Sequence, residues 1–396
     1  MTKKILFISK YLSTHKNGFE SRLSTIIRYF KKYNHQVCAI TSSSILAKKK
    51  IKKNYIYKKI DKVDYYFLKD KQKYSSYSFE RVISWINFEF RVFTFNYDLI
   101  RFKPEIIYIS SLSLLTILNG IYLKKKFNAK LIFEMRDIIP FGLYNTGKLS
   151  KFNPAIIILG VIEKLGIHQS DLIISLIPKI KEYLLYRGFK NKKNFASTFP
   201  VNKKFFIKKK FNFSLDKKKF NICYAGNFGF DNYLEDLLDL ISNIKNKSFI
   251  FHFFGKGSQK DILEKKFKNL SNVKFYKHID YKNLHSILIQ MDCLTISFGF
   301  NEKYPLFGYE LNKLNNYLMA SKPVLITGKK ENLLNNRGKF TFVTKKDPIL
   351  FEKKLLLIKK NYQSFLKIAK LNKRKLLIRN DPKLIFNATE KQLNNV

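Results

Sequence analysis

Short apolar runs alternate with stretches of helical period along the first half of the chain, stop, and then alternate again along the second half. Such runs read as strands buried on both faces, and the amphipathic stretches as the crossover helices that parallel strands require. In the first half the strand candidates are residues 5–9, 36–41, 106–110, 130–134 and 172–176. Residues 20–32 form a helix candidate in which Leu23, Ile26, Ile27 and Phe30 recur at helical spacing. Residues 114–126 form another, and the aromatic-rich stretch 75–101 reads as one longer helix. The pattern is lost over residues 199–219, where Pro200, Asn202 and two lysine clusters surround residues 205–213. It restarts with strand candidates at 221–225, 249–254, 273–277, 293–297, 324–327 and 341–343. Beyond Asp347 it gives way to Lys- and Leu-rich helical sequence interrupted at Asp381-Pro382. The expected fold is α/β with two doubly wound Rossmann-like domains, over residues 1–202 and 220–375, joined by a linker over 203–219 and followed by a helix over 376–396. At 396 residues the chain is long enough for each half to bury its own core.

A doubly wound sheet binds ligands outside the carboxyl ends of its strands, where loops enter helix N-termini. The first strand leads into a loop holding His15 and Gly18; Gly18 lets backbone amides approach a phosphate or sugar, and an ordinary strand-to-helix turn explains it equally well. Further on, Glu134, Arg136 and Asp137 bring three charges to a strand end. Arg136 suits a phosphate, Asp137 suits a ligand hydroxyl or orients a neighbour, and an ion pair between the two is the structural alternative. The first strand of the second half ends in Tyr224-Ala225-Gly226-Asn227-Phe228-Gly229, whose glycines permit a diphosphate to approach backbone amides. Gly255-Lys256-Gly257 ends another strand, and Tyr281 either serves a base, by stacking or hydrogen bonding, or is a surface aromatic. Asn312 and Lys313 begin a helix, so free amides, the helix dipole and a full positive charge converge where an anion can sit. The alternative there is a capped helix packed by Leu311, Leu314, Tyr317 and Leu318.

The run from Gly308 to Leu325 resembles the donor-binding segment of the family 4 retaining, nucleotide-sugar-dependent glycosyltransferases. Against that family's Ser-Pro-Asn-Lys-Leu-Phe-(Glu/Asp)-Tyr-Met-Ala-x-Gly-Lys-Pro-Val, residues Asn312, Lys313, Leu314, Tyr317, Ala320, Lys322, Pro323 and Val324 fall in register, and Asn316 stands in place of the acid. Residues 134–140 are similar to the (Glu/Val)-x-Arg-Asp-Leu-Trp-Pro segment of a bacterial surface-polysaccharide branch. The resemblance implies the GT-B arrangement, two such domains facing a central cleft, with the last helix packing back on the first. It implies a nucleotide-sugar donor held by Gly226, Asn227, Gly255, Gly257, Tyr281, Asn312, Lys313, Leu314 and Asn316, and Gly18 on the acceptor side. His15, Arg136 and Asp137 are the catalytic candidates, His15 and Asp137 for proton transfer. The implied reaction moves a sugar, with retention, to a carbohydrate or lipid-linked acceptor in lipopolysaccharide, capsule or O-antigen synthesis. Many members clamp the diphosphate with Arg and Lys after the strand at 221–225. This chain has Asn227 and Phe230-Asp231-Asn232 there, which leaves Lys313 as the clamp. These departures keep open a second class, a binding or scaffold protein with weak or no turnover.

Lys and Arg number 76 against 29 Asp and Glu, a formal net charge of +47. No zinc-finger spacing, RNP-type aromatic strand or basic-region heptad accompanies it, so a specific nucleic-acid partner is not expected. Two readings remain open: a coding bias that also enriches Asn, Ile, Phe and Tyr, and attachment to an anionic membrane surface. Runs such as Lys48-Lys49-Lys50, Lys124-Lys125-Lys126 and Lys208-Lys209-Lys210 supply lysines worth about 1 kcal/mol each at an anionic leaflet. No run approaches the ~20 apolar residues of a membrane span, and the first apolar run is too short for a signal peptide. Cys38, Cys223 and Cys293 lack pairing or metal spacing and read as free thiols. The expected location is therefore cytoplasmic, with peripheral attachment to the inner face of the membrane left open beside the coding-bias reading. Without an Asp-x-Asp motif or clustered histidines, neither a metal nor a cofactor is expected besides the donor.

Overall fold

The computed structural model describes residues 2–14, 21–46, 52–70, 79–111, 113–145, 149–207, 213–300, 307–308, 310–328 and 338–396. The chain divides into two units, Met1–Pro200 with Tyr304–Glu310 and Pro382–Val396, and Val201–Lys303 with Leu311–Asp381. In the first unit the elements run β1 (Lys4–Ile8), α1 (Arg22–Lys32), β2 (Gln36–Ser42), β3 (Tyr55–Ile60), β4 (Val63–Leu68), α2 (Phe79–Phe93) and β5 (Ile106–Ser111). They continue α3 (Thr116–Phe127), β6 (Lys130–Met135), α4 (Phe141–Asn145), α5 (Pro154–Gln169), β7 (Leu172–Ser175), α6 (Ile180–Tyr186) and β8 (Asn194–Ala196). The second unit holds β9 (Phe220–Asn227), α7 (Leu234–Ser242), β10 (Phe249–Lys256), α8 (Lys260–Lys266), β11 (Val273–Tyr276), α9 (Tyr281–Leu288) and β12 (Cys293–Ser297). After these come α10 (Asn312–Ala320), β13 (Val324–Thr327), β14 (Thr341–Val343), α11 (Pro348–Lys360) and α12 (Tyr362–Arg379), and α13 (Pro382–Asn394) belongs to the first unit.

The first sheet is ordered β3-β4-β2-β1-β5-β6-β7-β8 and is parallel except for the β3/β4 pair. The chain winds outward from β1 in one direction and from β5 in the other, so the strand order reverses between them, the place where such sheets receive ligands. Alternate strand residues serve opposite faces. Leu6, Ile8, Ile107, Ile109 and Phe133 meet Phe88 and Val92 of α2, Ile117 of α3 and Ile167 of α5. Ile5, Phe7, Tyr108 and Ile132 meet Ile26, Ile27 and Phe30 of α1 and Phe386 of α13. The α13 helix is seated on α1 by Phe386, whose ring stacks on Tyr33 at 4.8 Å and meets Phe30 edge-on at 4.9 Å. His35 belongs to the same seam, between the Lys3 amide (3.0 Å) and Glu390 (2.7 Å).

The second sheet, β11-β10-β9-β12-β13-β14, is parallel throughout, with its strand order reversing between β9 and β12. Its core gathers Ile222, Tyr224, Phe251, Phe253 and Cys293 from the strands with Leu237, Leu238 and Ile241 of α7 and Phe351 and Leu355 of α11. On the other side α10 packs against α9 and α12.

The structure departs from the sequence pattern after α2, at the β3–β4 hairpin and at the edge strand β8, which no expected strand covers. The long helix expected over 75–101 is α2, after which the chain turns through Tyr97–Leu99 before β5. The β3–β4 hairpin has no counterpart among the expected strands. Its two-residue turn is Asp61-Lys62, with φ of 51° and 64°, a left-handed pair without the glycine that marks such turns in sequence.

Candidate functional site

In the second unit the carboxyl ends of β9 and β10 and the start of α10 meet around one lysine. Leu311 occupies the cap position of α10 and offers no side-chain hydrogen bond to the first turn, so no capping side chain satisfies those amides. Lys313 projects from that first turn; its Nζ donates to Tyr224 Oη (2.8 Å) and Asn232 Oδ1 (2.7 Å) and lies 4.2 Å from the centroid of the Tyr224 ring. Its path crosses Gly226, where a Cβ would stand 2.6 Å from Lys313 Cε and 3.0 Å from Nζ. Every one of these partners is neutral, and among the described residues no carboxylate pairs with Lys313. Burial without a counter-charge pushes the ammonium down to about 7, although part of the side chain still meets water.

One turn further along α10, the buried Tyr317 hydroxyl accepts from the Ala225 amide at 2.8 Å and so fixes the helix against the end of β9. Asn316 Oδ1 accepts from Tyr281 Oη at 3.2 Å, which brings the two donor-side candidates together. Tyr281 is half-buried beside Phe206, and burial lifts its hydroxyl to about 12. Asn312 and Asn227 are exposed, and the Asn227 carbonyl accepts from Tyr224 Oη at 2.7 Å.

Three of the expected donor residues have packing duties. Leu314 is completely buried, so it supports α10 from beneath and does not line the surface. A Cβ on Gly255 would fall 1.8 Å from the Gly226 carbonyl oxygen, and one on Gly257 would fall 2.5 Å from the Phe228 backbone. Both glycines are required by the close approach of the β9 and β10 ends. Sequence reasoning passed over Tyr224, Asn232 and Tyr317 as functional groups. The signal that points to Tyr224 is a tyrosine placed one residue before the Ala-Gly pair of a buried strand.

In the first unit Arg136 and Asp137 follow β6 directly. Arg136 is half-buried and Asp137 exposed, and among the described residues neither makes a hydrogen bond or an ion pair, so the pair that would have explained them structurally does not form. Desolvation lifts the Asp137 carboxyl above the ordinary aspartate value and Arg136 opposes it; with the side chain open to water, the geometry outweighs that rise. Glu134 is sealed away: it binds Arg22 and Tyr108 and accepts from Ser110 Oγ at 3.0 Å. Burial pushes its carboxyl up, and Arg22 and Tyr108 together hold it below the ordinary glutamate range. Lys10, at the end of β1, is likewise spent internally on Asp70 and on Ser84 Oγ (2.8 Å). His15 and Gly18 lie outside the described residues.

No protein-family model matches this chain, and no curated protein is similar to it in sequence. Its fold matches solved structures along nearly its whole length. Sucrose-phosphate synthase from Thermosynechococcus elongatus superposes with a TM-score of 0.75 at 12% identity, covering 99% of both chains. Anabaena HepE in complex with UDP gives 0.67 at 11% identity over 99% of this chain and 100% of that one. The lipopolysaccharide outer core galactosyltransferase WaaB gives 0.59 at 13% identity over 99% of each. The chain therefore has the GT-B fold, two parallel-sheet domains of α/β type.

Proposed function

We propose that the protein is a glycosyltransferase that takes a sugar from a nucleotide-diphosphate-sugar and passes it, with retention, to a carbohydrate or lipid-linked acceptor in surface-polysaccharide synthesis. The observation that carries the reading is Lys313, a lysine without a carboxylate partner drawn across Gly226 at the uncapped start of α10. A diphosphate leaving group develops charge as the glycosidic bond breaks. A cation and free amides fixed in advance stabilise that charge without reorganising. In this proposal Tyr224 and Asn232 hold Lys313 in place, Tyr281 and Asn316 take the nucleoside, and Arg136 and Asp137 face the acceptor. UDP bound to HepE and the galactosyl transfer in the name of WaaB support the assignment. The proposal includes attachment to the inner face of the membrane and turnover without a metal, for which unchanged activity in EDTA is the check.

Thermal unfolding with UDP-, GDP-, ADP- and CMP-sugars at low and moderate salt tests it. A ligand confined to the folded state and present at 100 times its dissociation constant adds ~2.7 kcal/mol. A selective, salt-tolerant rise with one donor, lost in Lys313→Met, is expected; an equal rise with every polyanion, erased by salt, refutes it.

One observation favours a second reading, a binding protein with weak or no turnover. Asn316 is uncharged and its side-chain oxygen is already engaged by Tyr281. Turnover that appears only in Asn316→Glu would establish that reading.

A further inference from the structure

The α2, α3 and α5 helices lie side by side on one face of the first sheet: the Phe93 and Tyr122 rings of α2 and α3 are 4.9 Å apart, and Gly166 of α5 fits against Ile117 of α3. Each buries an inner stripe in the same core. Each also carries apolar residues on its outer side, where a surface helix is ordinarily polar. On α2 the outward stripe is Val82, Ile83, Ile86, Phe90 and Phe93, with Ile86 56% and Phe90 64% exposed. Leu118 and Tyr122 continue it on α3, and Ile157, Ile158 and Val161 on α5, where Val161 is 63% exposed. Phe152, just ahead of α5, is 74% exposed beneath the Lys151 ammonium. Adjacent helices join these residues into one surface, of the kind that marks an interaction site.

The charges around it identify the partner. Lys125, Lys126, Lys151 and Lys164 are exposed at its margin. Of the three acids on these helices, Glu89 is tied to Thr116 and Asn119, and Glu163 to Tyr183 and Arg187. The third, Glu80, is exposed. An apolar face edged with lysines, on a chain of net charge +47, is poorly suited to a second copy, because a two-fold contact would set lysine edge against lysine edge. It complements an anionic lipid leaflet, which takes apolar side chains at the acyl boundary and lysines at the headgroups. No described helix is long and apolar enough to cross a membrane. The geometry points to this three-helix face as the surface by which the protein lies on an anionic bilayer, an inference that gives the proposed membrane attachment its residues and rests on that reading of location alone.

Flotation of the full chain with phosphatidylcholine vesicles, with and without phosphatidylglycerol, tests it. Binding should require phosphatidylglycerol and fall at least tenfold in a folded Ile86→Glu/Val161→Glu variant, with Lys125→Glu/Lys126→Glu reducing it in a salt-dependent way. The same charge change at Lys353 and Lys360, exposed on α11 of the other unit, should leave it unchanged. Trp85 on α2 is the only tryptophan, so brominated acyl chains should quench its fluorescence in the unsubstituted protein, which guards against a misfolded variant. Absent binding, absent quenching, or an equal loss from the α11 pair overturns the inference; so does a dimer that the α2/α5 variant dissolves without altering flotation. Donor binding is measured without lipid, so failure of one experiment leaves the other standing.

Discussion

A lysine held only by a phenol, an amide oxygen and a ring face gives up its proton more easily than one beside a carboxylate, and this makes Lys313 testable by pH. Its ammonium sits at about 7 in the free protein, and a bound diphosphate raises that value by adding the missing counter-charge. Donor affinity should thus be complete below pH 7. Above it, affinity should decline by up to about tenfold per pH unit until the bound-state value is reached. Titration calorimetry from pH 6 to 9 reads this slope, and Lys313→Arg should flatten it because a guanidinium does not titrate there. A flat profile in the unsubstituted protein would remove Lys313 from the donor site. Gly226→Ala probes the same residue from below: the new methyl displaces the flexible end of Lys313, so donor stabilisation should fall while unfolding without ligand shifts by less than about 1 kcal/mol. Gly255→Ala, whose methyl would strike backbone, should by contrast destabilise the second unit by at least 1–3 kcal/mol in urea melts, on the order of other strained backbone sites.

Between elements, the buried group around Glu134 is a polar tie that joins distant segments. Arg22 at the start of α1 binds Glu134 on β6, reaches Ser197 Oγ at 2.8 Å and the Thr198 carbonyl at 3.2 Å, and Tyr108 of β5 closes on the same carboxylate. Arg22→Met leaves the buried carboxylate with its Tyr108 and Ser110 hydrogen bonds but without its guanidinium, and should cost about 3–5 kcal/mol in chemical denaturation. Because the folded state holds Glu134 below its ordinary range, its contribution is present above the unfolded value of about 4.3 and is lost as pH falls through the lower folded value. Stability of the unsubstituted protein should fall on acidification below about pH 4.3, and Arg22→Met should shrink that fall. This tie also shows where the sequence stops informing. Strands such as β5 and β6 were legible because parallel strands buried on both faces are nearly continuous apolar runs, and α1 was legible from its 3.6-residue period. The start of α10 was legible because the run from Gly308 to Leu325 resembles a known donor-binding segment, with Asn312 and Lys313 in register. The partnership of Arg22 with Glu134, separated by 112 positions, has no local signature, and nor does the meeting of Gly255 with the Gly226 carbonyl. The Asp61-Lys62 turn was missed for the opposite reason, since its conformation is local but its residues are not those that usually adopt it.

At the scale of the molecule, the excess of cations sets how the fold responds to salt. A net charge of +47 leaves most lysines without an acid to meet, and compaction brings them closer than they lie in the unfolded chain. The pairs that do form include exposed ones, Lys346 with Asp236 at 2.7 Å and with Asp239 at 2.8 Å, which lose attraction as salt rises. Repulsion among the many unpaired lysines is spread over distances longer than those contacts, and the screening length contracts to about 10 Å at 0.1 M salt. Screening therefore removes more repulsion than attraction. The unfolding temperature should rise by several degrees from roughly 10 to 200 mM sodium chloride, the reverse of a protein held by surface ion pairs. Scanning calorimetry over that range decides between the two, since an unfolding temperature that falls with salt would mean that the few ion pairs outweigh the surplus charge. The same screening weakens the lysine edge on a bilayer and leaves its apolar residues in place. Vesicle binding and thermal stability should thus move in opposite directions as salt increases, a pairing that a diffuse charge effect on either one alone does not produce.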